Sequence, residues 1–313
     1  MRAYLLIAVL AAATAWANPK VVGPPPLSAF LDSEKLQVSV TATDAVFTGS
    51  FTFATMEPLS PPSDSDPWRG ARPFTVEVDI WFPEEANGDP LVAEFWRTFR
   101  KGNINVLTTN AVGREVFARA VGLRVRVGER ELRVGSDIDG FWAFPYQPPP
   151  NPEVERWLSK LGQALHEPEP PWEPFTEPGF CLLMLYFYDD GGIVRNHTPV
   201  TLSYRQPLAR LGGEGRFFYS PVFAHLPDGF STSDTNRYSL TFETRDSSLA
   251  LTNGTKTAFI ESGHSAVFAP QIHQPFRAAS KAAPNQQGGA NGRQPVSSEA
   301  NGTSAAAASR RSP

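Results

Sequence analysis

Short segments in which apolar and polar residues alternate are the feature that most restricts the fold of this chain. In residues 33–55, SEKLQVSVTATDAVFTGSFTFAT, apolar residues occupy alternate positions on both sides of Thr43-Asp44. A period of two places successive side chains on opposite faces of a strand. This region therefore predicts a β-hairpin with one buried face.

The same signal recurs along the chain, separated by turn residues. FTVEVDIWF at residues 74–82 alternates, whereas FCLLMLYFY at residues 180–188 is apolar on both faces and predicts a central strand. Several shorter strand-like segments follow, with Asn253-Gly254 predicted as a two-residue hairpin turn. The 30 Pro and 24 Gly residues agree with many short strands joined by turns. The sequence thus predicts a mainly β fold with antiparallel, sandwich-like sheets.

Two short helices and one further hairpin interrupt this pattern. Asp89 is a predicted N-cap, Pro90 occupies the first helical position and Gly102 follows the end. Residues 110–122 predict a second short helix, and residues 123–134 predict a hairpin that turns at Gly128.

Composition along the chain predicts five segments. We expect a signal peptide over 1–17, an N-terminal β-rich domain over 18–140 and a Pro/aromatic-rich connection with a short helix over 141–178. A C-terminal antiparallel β domain over 179–276 and a disordered tail over 277–313 follow. The tail has no aromatic residue and too few large aliphatic ones to form a core. It is either a spacer towards a partner or an extension without a role.

The N-terminus has the features of a secretory signal peptide. Arg2 precedes an apolar run from about Leu5 to Ala13, and Ala15-Trp16-Ala17 supplies the small residues read by signal peptidase. We expect cleavage between Ala17 and Asn18, and a secreted or periplasmic protein; a short buried helix is the alternative. Because no later apolar run approaches 18 residues, we expect no transmembrane segment in the mature chain.

Charge and motif content argue against several function classes. The net charge of the chain is −4, so its electrostatics do not favour nucleic-acid binding. The sequence lacks a G-x-x-x-x-G-K loop and a G-x-G-x-x-G loop, and no two of its five histidines lie two or four positions apart. Asp137-Ile138-Asp139-Gly140 has too few oxygen ligands for a calcium loop. We expect no cofactor and no metal, and a buried, unpaired Cys181.

One segment contains the residue types of a serine hydrolase. His225, Ser231, Ser233 and Asp234 lie within ten residues, but Gly229-Phe230-Ser231 gives only half of a G-x-S-x-G elbow. Residues so close in sequence share one loop, so a polar inter-strand loop is the preferred interpretation. The alternative is an exported hydrolase whose residues come from separate strands. Its further candidates are Asp189, Asp190 and His197.

Aromatic residues of the connection are candidates for binding sugars. Trp142, Tyr146, Trp157 and Trp172 lie among prolines and carboxylates, where their rings could stack on the apolar face of a sugar. The preferred interpretation is that these rings pack against prolines and seal the joint between domains. We therefore expect an exported, soluble, non-catalytic binding or scaffolding module of the cell envelope or exterior. Its predicted partner is an envelope protein or a polysaccharide.

Overall fold

The structure is a computed structural model that describes residues 19–22, 29–55, 74–86, 88–99, 110–144, 177–189, 192–211, 214–220, 231, 233–270 and 274–282. These residues form strands β1 to β16 and helices α1 and α2. The elements are, in chain order, β1 Lys20–Val22, β2 Ala29–Val40, β3 Asp44–Thr55, β4 Phe74–Pro83, α1 Pro90–Phe99, α2 Ala111–Val121, β5 Arg124–Val127, β6 Arg130–Leu132, β7 Ile138–Phe144, β8 Phe180–Asp189, β9 Val200–Pro207, β10 Ala209–Leu211, β11 Glu214–Tyr219, β12 Tyr238–Thr244, β13 Ser247–Asn253, β14 Lys256–Ile260, β15 Ser265–Phe268 and β16 Phe276–Ala282.

The described strands form three sheets. Their orders are β1-β4-β8-β7 in the four-stranded sheet, β10-β11-β16-β13-β14 in the five-stranded sheet and β15-β12-β2-β3-β9-β5-β6 in the seven-stranded sheet. Neighbouring strands run antiparallel except β2 and β12, which are parallel. The predicted mainly β fold with a few short helices is confirmed.

Strands from both sides of the predicted connection share sheets. The parallel partner of β2 is β12, and β3 pairs with β9 from Asp44↔Pro207 to Phe51↔Val200. In the four-stranded sheet, β4 likewise pairs with β8 along its whole length. The predicted connection at 141–178 therefore does not coincide with a boundary between sheets. Residues 145–176 of that connection lie outside the described residues.

The predicted first hairpin is confirmed. β2 and β3 pair from Ala29↔Thr55 to Val40↔Ala45, and the side chains that share the predicted face are buried. β4 differs from the one-sided strand that its alternation suggests, because Asp79 and Trp81 on its second face are buried too. β4 lies between β1 and β8 in its sheet, and Trp81 packs edge-to-face on Phe218 of β11, with ring centroids 4.7 Å apart.

Both predicted helices are present, and their caps explain where they begin and end. Asp89 Oδ1 accepts a hydrogen bond from the Leu91 backbone N–H at 2.8 Å, as expected of an N-cap. Asn110 caps α2 in the same way, and Gly122 ends it with φ 61°. Phe95 of α1 contacts Phe82 of β4, with ring centroids 4.6 Å apart, so α1 packs against the four-stranded sheet.

The seven- and five-stranded sheets pack face to face through aromatic side chains. Phe47 of β3 stacks on Tyr204 of β9 at 4.6 Å and meets Phe217 of β11 edge-to-face at 5.9 Å. Phe242 of β12 contacts Phe276 of β16 at 5.2 Å. The Phe47–Phe217 and Phe242–Phe276 contacts join strands of different sheets, so the two sheets form a sandwich with an aromatic core.

A polar side chain joins all three sheets at the point where the chain changes sheet. Gln206 is fully buried near the end of β9. Its Nε2 donates to the Trp81 carbonyl oxygen at 2.6 Å and to the Phe218 carbonyl oxygen at 3.1 Å, and its Oε1 accepts from the Phe218 N–H at 2.9 Å. β10 begins at Ala209, which pairs with Arg216. Because β10 pairs with β11 only from Arg216 back to Glu214, the Gln206 amide supplies the hydrogen bonds of β11 at Phe218, before the start of β10.

A buried carboxylate lies between the two sheets of the sandwich. Glu34 of β2 is fully buried and accepts a hydrogen bond from the Tyr219 hydroxyl of β11. Burial raises the pKa of the Tyr204 and Tyr219 phenols well above 10.0, and the nearby charge of Glu34 raises both further. These two phenols therefore stay protonated in the folded protein at neutral pH.

Two local predictions have a definite outcome. Cys181 is buried, as predicted, and its thiol donates a hydrogen bond to Glu84 Oε1 at 3.3 Å. The hairpin turn between β13 and β14 is displaced by one residue from the predicted Asn253-Gly254, because Asn253 pairs with Lys256 and leaves Gly254-Thr255 as the turn. Gly254 has φ 56°, which only glycine adopts readily.

Candidate binding surface

The described part of the serine-rich loop makes hydrogen bonds within itself. Ser231 Oγ lies 2.6 Å from Ser233 Oγ and accepts a hydrogen bond from the Ser233 N–H at 3.2 Å. Asp234 Oδ1 accepts from the Asn236 N–H at 2.9 Å, which forms an Asx turn before β12. His225 lies outside the described residues, so the alternative in which it belongs to a triad stays a hypothesis.

The other predicted site residues fall into two groups. Asp189 is buried at the end of β8, where its Oδ1 accepts from the Gly192 and Ile193 N–H groups at 2.9 and 3.1 Å and so fixes the following turn. His197 is exposed, with φ 50°. Ala17, Asn18, Tyr146, Trp157, Trp172 and Asp190 lie outside the described residues, as does the side chain of Trp142.

Asp137, in the turn for which the sequence supplies too few calcium ligands, binds two arginines. Asp137 accepts hydrogen bonds from the Arg133 N–H at 2.9 Å and from Arg130 Nη2 at 3.0 Å. The Arg133 backbone bond is the main reason why the pKa of Asp137 lies below 3.8. Among the described residues, no group of three or more His, Cys, Asp or Glu side chains is placed to hold a metal ion.

Exposed apolar side chains single out one edge of the sandwich. Phe259 on β14 is 80% exposed and Val267 on β15 is 61% exposed, although both lie in regular strands. β14 is the last strand of the five-stranded sheet and β15 is the last strand of the seven-stranded sheet. We call these two strands and the turn at 261–264 between them the β14–β15 edge.

The β14–β15 edge is held firmly to the sandwich. Gly263 N–H donates to the Thr244 carbonyl oxygen at 2.8 Å, and the Ser262 hydroxyl donates to the Arg245 carbonyl oxygen at 2.5 Å. Each strand is also paired on its inner side, β14 with β13 and β15 with β12. Phe259 and Val267 are therefore exposed at fixed positions on ordered strands.

Phe259 stands at one end of a row of small side chains. On the outer face of the five-stranded sheet, Phe259 pairs with Ala250, Ala250 with Ala279 and Ala279 with Arg216. Both alanines are partly exposed. Since alanine side chains rise little above the backbone, the row forms a shallow apolar surface that ends at a guanidinium group.

The neighbouring row on the same face contains Thr257, Thr252 and Arg277, and these polar side chains already have hydrogen-bond partners. Thr252 and Thr257 hydroxyls lie 3.1 Å apart. Arg277 lies over the Phe218 ring at 5.5 Å, and its Nε donates to Glu177 Oε2 at 2.7 Å. Burial raises the pKa of Glu177, whereas the hydrogen bond from Arg277 opposes that rise. Arg277 is thus already occupied by Glu177.

Sequence reasoning does not single out Phe259 or Val267 as exposed. In KTAFI, both alternating sets contain apolar residues, Phe259 in one and Ala258 and Ile260 in the other. A short segment of this kind does not reveal which face is buried. The available signal was the absence of charge from SAVF, an unusual composition for an edge strand.

No protein-family model matches this chain, and no curated protein matches it at a significant level. Neither helix in the described part of the chain has the length and apolar character needed to cross a bilayer.

Proposed function

We propose that this chain is an exported, non-catalytic module that binds a protein partner in the cell envelope or outside the cell. The β14–β15 edge is the binding surface. The partner supplies an extended segment that pairs, as an additional strand, with one of the two edge strands. The observation that carries the proposal is the exposure of Phe259 and Val267 on adjacent edge strands of the two sheets.

Edge strands of native sheets are normally protected against pairing. Charged side chains, prolines, bulges and short strand length are the usual devices, and exposed apolar edges invite other strands. β15 is short, but its sequence SAVF contains no charged residue and no proline, and β14 has one charged residue, Lys256, at its start. An added strand would gain backbone hydrogen bonds from the edge and specificity from alternate side chains.

The exposed side chains are concentrated at this edge. Among the described residues, Phe259, Val267 and Val112 of α2 are the large apolar side chains exposed by more than half, so two of the three belong to the β14–β15 edge. A few residues near the centre of a protein interface, often aromatic, contribute most of its binding energy. Phe259, with Ala250 beside it, is the natural anchor of such an interface.

The proposal that the protein is exported rests on the predicted signal peptide. Export also determines the compartment in which the partner binds. The Arg2, Leu5–Ala13 and Ala15–Ala17 features favour transfer across a membrane and removal of residues 1–17. The hydrolase alternative has less support, because the described candidates Ser231, Ser233 and Asp234 bond to their own loop and Asp189 caps a turn.

The proposal is tested by gel filtration of the protein recovered from the exported fraction of cells that make it. We expect the wild-type chain, beginning at Asn18, to elute with its partner at a mass above that of one chain. A Phe259→Thr/Val267→Thr double variant should elute as a single chain, because threonine suits a strand but removes the apolar contact.

Val112→Thr is the matched control, since it makes the same kind of change at an equally exposed site on α2. It should leave the larger species intact. A double variant that stays in the larger species, or a wild-type chain that elutes alone, would show that the β14–β15 edge is not the binding surface. Mass spectrometry of the larger species identifies the partner and reads the mature N-terminus.

A further inference from the structure

A cavity of about 370 Å³ lies away from the β14–β15 edge. Its described walls are the β5–β6 hairpin, the turn before β7, the end of β8 and the residues after β8. Small-molecule sites in proteins have volumes of about 300–1,000 Å³, so this cavity suits a small ligand.

The walls combine apolar and polar groups. The residues that line the cavity include the apolar Val127, Leu132 and Ile193 and two residues with hydrogen-bonding side chains, Arg130 and Tyr188. Tyr188 is 36% exposed, so part of this aromatic residue is accessible to solvent. Ligand sites typically pair an apolar lining with a few polar groups that orient the ligand.

Arg130 is held in place by a carboxylate from the turn before β7. Arg130 Nη2 donates to Asp137 Oδ1 at 3.0 Å, and Arg133 holds the other oxygen of Asp137. A guanidinium carries five N–H donors in a rigid fork, so it can bind Asp137 and donate to a ligand hydroxyl at the same time. The Ser136 hydroxyl, 3.4 Å from Asp137 Oδ2, adds a group that can donate or accept.

The charges of the walls argue against an anionic ligand, and the described residues do not form a metal site. The described lining contains one guanidinium, Arg130, and two carboxylates, Asp137 and Asp189. An anion would face this excess of negative charge. A metal ion would need more ligands than the described residues bring together. A neutral ligand with several hydroxyl groups satisfies the polar groups without adding charge.

We infer that this cavity binds one uncharged sugar residue, whose hydroxyl groups bond to Arg130 and Ser136 and whose apolar face lies against Tyr188 and the apolar wall. The inference does not depend on the β14–β15 edge, since the two surfaces share no residue. A chain with both surfaces would hold a saccharide and a protein partner together.

Saturation-transfer NMR on residues 18–313 tests this inference with four probes: the methyl glycosides of glucose, galactose and mannose, and N-acetylglucosamine. We expect at least one probe to bind with a dissociation constant below about 10 mM, the weak range usual for a small ligand with few contacts. Glucuronic acid should bind more weakly than methyl glucoside, because its carboxylate faces Asp137 and Asp189. Tighter binding of glucuronic acid would overturn the choice of an uncharged ligand.

Variants then locate the site. Tyr188→Val and Arg130→Lys should each raise the dissociation constant by about tenfold, the effect of losing one aromatic contact or one forked donor. Arg126→Lys is the matched control, because Arg126 lies in the same hairpin, pairs with Glu129 and does not line the cavity. It should bind like the wild type.

One measurement on the unaltered chain removes any dependence on how the variants fold. Amide signals of Gly192 and Ile193, which line the cavity, should shift when the bound probe is added. Absence of saturation transfer from all four probes would overturn the inference. So would binding that leaves these two amides unshifted or that survives both variants unchanged.

Discussion

Replacement of Gln206 by methionine is expected to lower the free energy of unfolding by about 3–9 kcal/mol, because three buried backbone groups each lose a partner. The side chain keeps nearly the same volume, but the Trp81 carbonyl and both backbone groups of Phe218 lose their bonds to the amide. Each buried polar group left without a partner costs about 1–3 kcal/mol. Urea unfolding followed by fluorescence measures the loss.

Gln37→Met is the matched control, because Gln37 lies exposed on the outer face of β2. Surface substitutions of this kind change stability by about 0.5 kcal/mol or less. A Gln206→Met protein as stable as this control would mean that the amide does not join the three sheets in solution.

The stability of the protein is expected to fall steeply above pH 10. Tyr204 and Tyr219 have folded-state pKa values well above 10.0, because both are buried and lie near Glu34. In the unfolded chain each phenol ionises near pH 10, whereas in the folded protein it keeps its proton. Below pH 10 the two phenols contribute fully to the free energy of unfolding. Above pH 10 each phenol lowers that free energy by about 1.4 kcal/mol per pH unit.

Tyr204→Phe separates these phenols from the other groups that titrate at high pH. Within the described part of the chain, the Tyr204 hydroxyl has no hydrogen-bond partner, so its removal should cost little at neutral pH. Above pH 10 the variant should lose stability less steeply than the wild type, by about 1.4 kcal/mol per pH unit. Equal slopes in urea titrations from about pH 8 to pH 11 would contradict the burial of this phenol.

Local elements of the fold follow directly from local sequence. The β2–β3 hairpin, both helices and the turn at Gly128 were predicted, because caps, glycines and alternation act over a few residues. The parallel pairing of β2 with β12 was not predicted, since it joins residues about 200 positions apart and leaves no mark on either segment. Such long-range pairing explains why the predicted connection does not separate the sheets.

Two buried polar residues carry a signal in the sequence. Glu34 shares its alternating set with Leu36, Val38 and Val40, and Gln206 shares its set with Leu202 and Tyr204. A polar residue in the inward-facing set of a strand is a candidate for a buried hydrogen-bonding role. The hydrogen-bond partners of Glu34 and Gln206 could not be predicted. They include Tyr219 and Phe218, which come from the opposing sheet.

The candidate binding surface was the least predictable feature. Sequence patterns single out His225, Ser231 and the tryptophans of the connection as candidate site residues. They do not single out Phe259. Whether an apolar strand residue is buried depends on what covers its sheet, and edge positions are covered on one side only. That information exists only once the order of strands is known.

Site-specific photo-crosslinking in cells that export the protein tests the proposed binding surface most directly. A photoreactive phenylalanine analogue at position 259 replaces an aromatic ring that is already exposed, and the same analogue at position 112 is the control. We expect one discrete adduct with a protein partner at position 259 and none at position 112. No adduct at either position, or the same adducts at both, would contradict a binding role for the β14–β15 edge.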